Sequence, residues 1–280
     1  MQRFYSIIRL FRILSLDVVS GSLATSFLVA SFFQISPPFV TYIALGIAVW
    51  LIYTFDHLLD ARAIAHPVTI RHSFHKTYFY PIVVFFCLIL CTGVYILQFL
   101  SKEVIFLGLA GLGLTAIHLL LVFFLGKRVS PFVHKEVGVA LNFAYGVAIP
   151  ALSQLDSFGW EHFIFLFQVF TLAMMNLISF SFYEHEADQV QGQTSLSLSL
   201  GKPFLVKFNN GLYLTGVFIP VVVLVAMGSP HVPLVLVLIM GTVLWSLIRR
   251  PSFFGKHERY RIYGDLIFSL PYILLLSSNG

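Results

Sequence analysis

Apolar runs dominate the chain, and polar residues interrupt them at regular intervals. Nine mainly apolar segments stand out, at about residues 15–34, 39–58, 78–98, 103–125, 136–153, 163–183, 206–227, 232–248 and 263–277. The runs Tyr80–Leu100 and Phe163–Phe182 are continuous and lack the apolar–polar alternation of a barrel strand. Stretches near 20 residues are long enough to cross hydrocarbon as helices. In lipid every backbone N–H and C=O must find a partner inside the protein, which leaves helices once a barrel is set aside. The pattern therefore predicts an all-α, polytopic integral membrane protein with nine transmembrane helices. No linker or low-complexity tail breaks it, so residues 1–280 read as a single transmembrane domain. Its longest polar interruptions, 61–77 and 189–204, are expected to be functional loops on one membrane face.

Composition agrees with the pattern. Apolar residues make up 58% of the 280 and charged residues only 10%, with a mean hydropathy of +0.90; a soluble domain of this size needs more charge. The formal charge of +5 would suit a nucleic-acid partner, but the basic residues are scattered over short connections. With the N-terminus inside, sixteen of the seventeen Lys and Arg fall on the inner side and only Lys102 outside. That asymmetry is the positive-inside rule, so the expected topology is N-terminus in and C-terminus out, with membrane lipid as a partner and no nucleic acid. Arg3, Arg9 and Arg12 form a basic interfacial start. The length of the first segment, with Asp17 early in it, argues against a cleaved signal peptide. Cys87 and Cys91 lie four apart on one helix face and read as packing residues.

The carboxylates are few, so their placement carries information. Asp56 and Asp60 close the second segment, in Tyr53-Thr54-Phe55-Asp56-His57-Leu58-Leu59-Asp60-Ala61-Arg62. Glu184 and Asp188 close the sixth, in Tyr183-Glu184-His185-Glu186-Ala187-Asp188. A spacing of four puts each pair on one helix face, one turn apart, with Glu186 on the opposite side. An even number of crossings separates the two segments, so both acidic faces emerge at one membrane surface. Four carboxylates gathered there repel one another unless a cation sits among them. Hard oxygen donors suit Mg²⁺, which commonly shares its shell between carboxylates and substrate phosphates. Solvated helix ends that merely reach water are the competing reading.

Asp56-x-x-x-Asp60 and Glu184-x-x-x-Asp188-x-x-x-Gly192-x-Thr194-x-Leu196 resemble the two motifs of the UbiA-type intramembrane prenyltransferases. In that family the first motif is Asn-x-x-x-Asp-x-x-x-Asp, and the second is Asp-x-x-x-Asp followed by Gly and a Thr-Leu pair. The resemblance implies nine helices, a cytoplasmic N-terminus and an active site in the membrane of a bacterium. It also implies that Mg²⁺ held by Asp56, Asp60, Glu184 and Asp188 binds an allylic prenyl diphosphate, whose prenyl group passes to a hydrophobic or aromatic acceptor. Four departures stand out. Ile52 occupies the family's Asn position, Glu184 replaces an Asp, Ser195 splits the Thr-Leu pair, and no Arg-Pro follows the first motif.

Basic groups near these ends are candidates to stabilise a departing diphosphate: Lys135, Lys127, Arg128, Arg62 and Arg71, with Lys202 beside them. Each can equally be a headgroup anchor. Lys135 opens the fifth segment, and Asn142 lies two turns deeper on a similar face. Tyr53, Tyr145 and Tyr183 are the aromatic rings expected near a developing carbocation. His66, His72 and His75 share one loop but match no zinc spacing. Asp60-Ala61-Arg62 echoes part of the CDP-alcohol phosphotransferase run, whose Gly and downstream carboxylates are missing. Two non-enzymatic alternatives stay open: a degenerate prenyl-lipid-binding relative, and a cation-coupled transporter, which would need carboxylates deeper within the spans.

Overall fold

A computed structural model describes residues 10–63, 70–125, 135–191 and 195–277. The described chain is helical throughout. Its helices are α1 (Leu16–Phe32), α2 (Phe39–Ala63), α3 (Ile70–Thr77), α4 (Phe79–Ile96), α5 (Lys102–Leu125), α6 (Lys135–Leu152), α7 (Trp160–Gln191), α8 (Leu196–Leu200), α9 (Lys202–Leu212), α10 (Ile219–Ala226), α11 (His231–Arg249), α12 (Pro251–Phe254), α13 (Arg259–Leu266) and α14 (Ile273–Ser277). A π-helical turn at Tyr213–Phe218 joins α9 to α10, and a 3₁₀ segment at Ile267–Tyr272 joins α13 to α14.

Every apolar segment read from the sequence is helical, and six helices among the described residues are long and apolar enough to cross a membrane. Those six do not include α1, α6 or the C-terminal stretch. Helix α1 is only 17 residues long, and residues 259–277 are divided between α13, the 3₁₀ segment and α14, with Pro271 inside the 3₁₀ turn. The two interruptions expected as loops are largely helical. Helix α2 runs on to Ala63 and α3 fills 70–77, while α7 continues to Gln191 and α8 takes up 196–200. Glu, Ala and Gln in 184–191 favour helix even after the apolar run has ended.

Local chemistry marks the ends. Gly228 adopts φ +79° after α10, where Ser229 N–H donates to Leu224 O and Gly228 N–H to Val225 O. This is the left-handed stop that favours glycine. Gln34 repeats the device after α1 at φ 57°, with Ile35 N–H donating to Ala30 O. The π turn frees the Val217 carbonyl, which accepts from Gln168 Nε2 at 3.3 Å.

Helix α7 is the centre of the bundle. Phe165, Leu172, Met175 and Ile178 on it are completely buried, whereas no residue of α4 is buried. Helices α1 and α2 run antiparallel: Ser15 Oγ lies 3.1 Å from His57 Nε2, Trp50 Nε1 donates to Leu14 O, and Phe27 stacks on Tyr42 at 4.3 Å. Helices α1 and α7 are antiparallel too, with Phe32 stacked on Phe165 at 3.9 Å. The C-terminal ends of α2 and α7 consequently lie at the end of the bundle where α1 begins.

Gly21 lets the C-terminal segment approach α1: a Cβ there would sit 2.9 Å from Phe268 Cβ. Gly21→Ala is expected to destabilise the protein by about 1–2 kcal/mol, because overpacking at a buried contact exceeds the gain in helix propensity. A lower unfolding temperature in detergent would be the readout.

Candidate active site at the charged end of the bundle

The end where α1 begins collects the charged and polar side chains of α2, α6, α7 and α13. Asp56 is exposed on α2, its carboxylate 3.9 Å from His57 Nδ1, and His57 is buried. The His57 ring meets the buried His75 of α3 edge to face, with centroids 5.0 Å apart. The backbone of Asp60 continues α2; its side chain lies outside the described residues, as do that of Arg71 and the whole of Lys127 and Arg128. Arg62 is exposed, with its guanidinium 4.9 Å from the centre of the Phe79 ring.

On α7 the expected pair divides into two environments. Glu184 receives Arg261 Nη2 at 2.7 Å and the Tyr260 hydroxyl at 3.3 Å, both from α13. Asp188, one turn on, is nine-tenths buried, and among the described residues no hydrogen bond or ion pair reaches it. Tyr183 stacks on Tyr260 at 4.4 Å and donates to Leu247 O at 2.6 Å. Burial pushes the Tyr260 phenol up to about 12, and the Glu184 charge acts in the same direction. Burial works against the charge of Arg261, but Glu184 and then Tyr260 outweigh it and raise the guanidinium above its ordinary range. Glu184 is thus an ion-pair partner already, a role its longer arm suits.

The remaining expected residues are spread out. Lys135 is half-buried at the start of α6. Asn142 accepts from Thr115 Oγ1 at 2.8 Å and donates to Gly138 O at 2.8 Å. Tyr145 donates to Leu107 O at 3.0 Å and covers Gly111. Both side chains therefore join α6 to α5. Tyr53 is half-buried in α2.

Several residues here went unmarked in the sequence reading. Glu136 is buried and accepts from Leu196 N–H at 3.0 Å, tying the start of α6 to α8. Ser197 Oγ lies 3.1 Å from His185 Nδ1, and Ser197 N–H donates to Ser181 Oγ. Arg261, Tyr260, Asp265 and Asn176 complete the set. A usable signal existed for Asp265 alone, an acid within an apolar segment; the others became visible only through their partners.

The donor chemistry can be tested against a divalent cation. No group of three or more His, Cys, Asp or Glu converges among the described residues as a ready cage. Asp188 nevertheless offers a largely desolvated carboxylate with no competing partner, and Asp56 a second carboxylate at the same end. Two such oxygens fit a hard ion whose other ligands are water and phosphate. Glu184 fits less well, since Arg261 already neutralises it. A separate cavity of about 330 Å³, lined by Phe33, Glu161, His162 and Ser229 among others, lies at the opposite end.

Comparison with family models, curated proteins and solved structures returns no match for this chain.

Proposed function

We propose that the chain is a divergent UbiA-type prenyltransferase of a bacterial cytoplasmic membrane. In this reading it spans the bilayer nine times with its N-terminus in the cytoplasm. It transfers a prenyl group from an allylic diphosphate to a hydrophobic or aromatic acceptor. The observation that carries the reading is that two acidic helix ends, Asp56–Asp60 of α2 and Glu184–Asp188 of α7, lie at the same end of the bundle. Asp56, Asp60 and Asp188 would hold Mg²⁺, with Glu184 anchoring Arg261. Bound there, the ion would neutralise charge on the leaving diphosphate. Asp188 is itself shielded from water by its burial, and the Glu136–Leu196 contact keeps α8 against α6.

The test is binding of an allylic diphosphate to purified protein with and without Mg²⁺, followed by turnover against a panel of aromatic and lipid acceptors. Metal-dependent binding with diphosphate release supports the reading; well-folded protein with no such binding refutes it. Topology has its own check. Single cysteines placed at Lys102 or Asp156 in a protein lacking Cys87 and Cys91 are expected to react with an impermeant thiol reagent from outside. Cysteines at Lys135 or Arg250 are expected to react only after permeabilisation. Labelling of both sets from one side would reject the nine-span arrangement.

A second reading, a cation-coupled carrier, draws on one observation: the acid Asp265 of α13 lies within charge-interaction range of Asp17 of α1, both in apolar segments.

A further inference from the structure

The seam between α9 and α11 carries a guanidinium fixed in one place. Arg249 closes α11, and Leu247 just before it accepts from Tyr183, the neighbour of Glu184, so this helix end belongs to the charged end of the bundle. Arg249 Nε and Nη2 both donate to Asn210 Oδ1 of α9, at 3.2 and 3.0 Å. Trp245, one turn earlier on α11, donates its Nε1 to the same oxygen at 2.9 Å. The guanidinium also lies over the Trp245 ring, 5.0 Å from its centre. Tyr213 holds that ring from the other helix by stacking on it at 5.5 Å, and the Tyr213 hydroxyl meets Thr242 Oγ1 at 3.0 Å.

An arginine that grips a ligand ordinarily gives up rotamer freedom to do so. Here the side chain is ordered before any ligand arrives, and its partner is a neutral amide, so the positive charge stays intact. Two more cations flank it. Lys207, three residues before Asn210 on α9, and Arg250 are both exposed. Among the described residues no carboxylate pairs with Lys207, Arg249 or Arg250; the ion pairs there are made by Arg12, His57, His162 and Arg261.

The chemistry beside the cations is apolar. Phe204 and Phe208 of α9 are exposed and stacked at 5.8 Å, and Leu214 is exposed further along the same stretch. Residues Lys202–Ala226 and His231–Arg249 are each long and apolar enough to cross a membrane. On such helices Trp and Tyr rings mark the level where headgroups begin. A planar guanidinium matches phosphate with two parallel bonds, and the adjoining rings match acyl chains. A soluble anion would use the cations and leave the rings without a role.

We propose that Arg249, Lys207 and Arg250 bind the phosphate of an anionic phospholipid, whose acyl chains lie along α9 and the Trp245–Tyr213 stack. The seat prefers an anionic headgroup to a zwitterionic one, and the bound lipid braces α9 against α11. The proposal needs only that these helices cross the bilayer, and it is independent of prenyl transfer.

Native mass spectrometry in neutral detergent, with phosphatidylglycerol or phosphatidylcholine of the same chains as titrant, tests this. The wild type is expected to bind its first phosphatidylglycerol on the order of tenfold more tightly, since each basic residue near a headgroup contributes about fivefold. Arg249→Gln is expected to lower that preference by about fivefold. Asn210→Asp is the sharper variant. It keeps an acceptor for Trp245 and pairs the guanidinium with a carboxylate, so the packing stays while the charge is cancelled, and the preference is expected to fall as far. Lys256→Gln, which removes an exposed cation from the connection after α12, is expected to leave the preference in place. Equal affinity for the two lipids in the wild type, an unchanged preference in folded Asn210→Asp, or an equal loss in Lys256→Gln would overturn the proposal. Displacement of the lipid by inorganic phosphate or diphosphate would overturn it as well, because the seat would then belong to a soluble anion.

Discussion

Asp188→Asn is expected to weaken Mg²⁺-dependent binding of an allylic diphosphate by on the order of 100-fold, while leaving the fold intact. Asp188 makes no hydrogen bond or ion pair whose loss would loosen the bundle, so its removal should be silent in stability and visible only in binding. An inner ligand should matter at least as much as outer-shell partners, whose loss costs about 10–100-fold in metal affinity. Asp56→Ala is expected to behave similarly from the α2 side. Glu184→Gln is expected to do less to the metal than either, because Arg261 and Tyr260 already occupy its carboxylate. Calorimetric titration of Mg²⁺ in the presence of a non-reactive diphosphate, run on the three variants with thermal unfolding as control, would read these differences. Equal losses in all three would show that Glu184 is a metal ligand after all. Unchanged binding in Asp188→Asn would remove it from the site.

The second large effect is on stability. Arg261→Ala is expected to destabilise the protein by about 3 kcal/mol, the low end for breaking a buried pair. The low end applies because the two side chains keep 21% and 24% of their exposure. Three losses combine: Glu184 loses the guanidinium held at 2.7 Å, that guanidinium leaves the Phe180 face, and its Nε no longer meets the Tyr260 hydroxyl. Adding Glu184→Gln to Arg261→Ala should recover part of the loss, since the carboxylate that had lost its guanidinium is then removed. A double-mutant cycle on unfolding in detergent, with coupling of about 1–3 kcal/mol expected, separates this pair from general damage to α13. Additive losses would mean that the 2.7 Å contact contributes nothing of its own.

The pattern of apolar runs was sufficient to determine that the chain is helical, with several helices long and apolar enough to cross a membrane, because unbroken apolar runs without strand alternation can pair their backbone groups only as helices. It also located the acidic ends of α2 and α7, since a carboxylate spacing of four on a helix is local geometry. What each carboxylate does was decided by tertiary structure. Glu184 and Asp188 look equivalent in the sequence, yet Arg261, 77 positions after Glu184, pairs with one and not the other. Asn142 and Tyr145 read in the sequence as candidates to line a site, and only the structure shows them hydrogen-bonded to Thr115 and Leu107 on α5. Asp17 and Asp265 are separated by nearly the whole chain and come within charge-interaction range because Gly21 lets the C-terminal segment close on α1. Charge on a single segment can be read from its residues; whether that charge is paired or buried depends on which helices pack together.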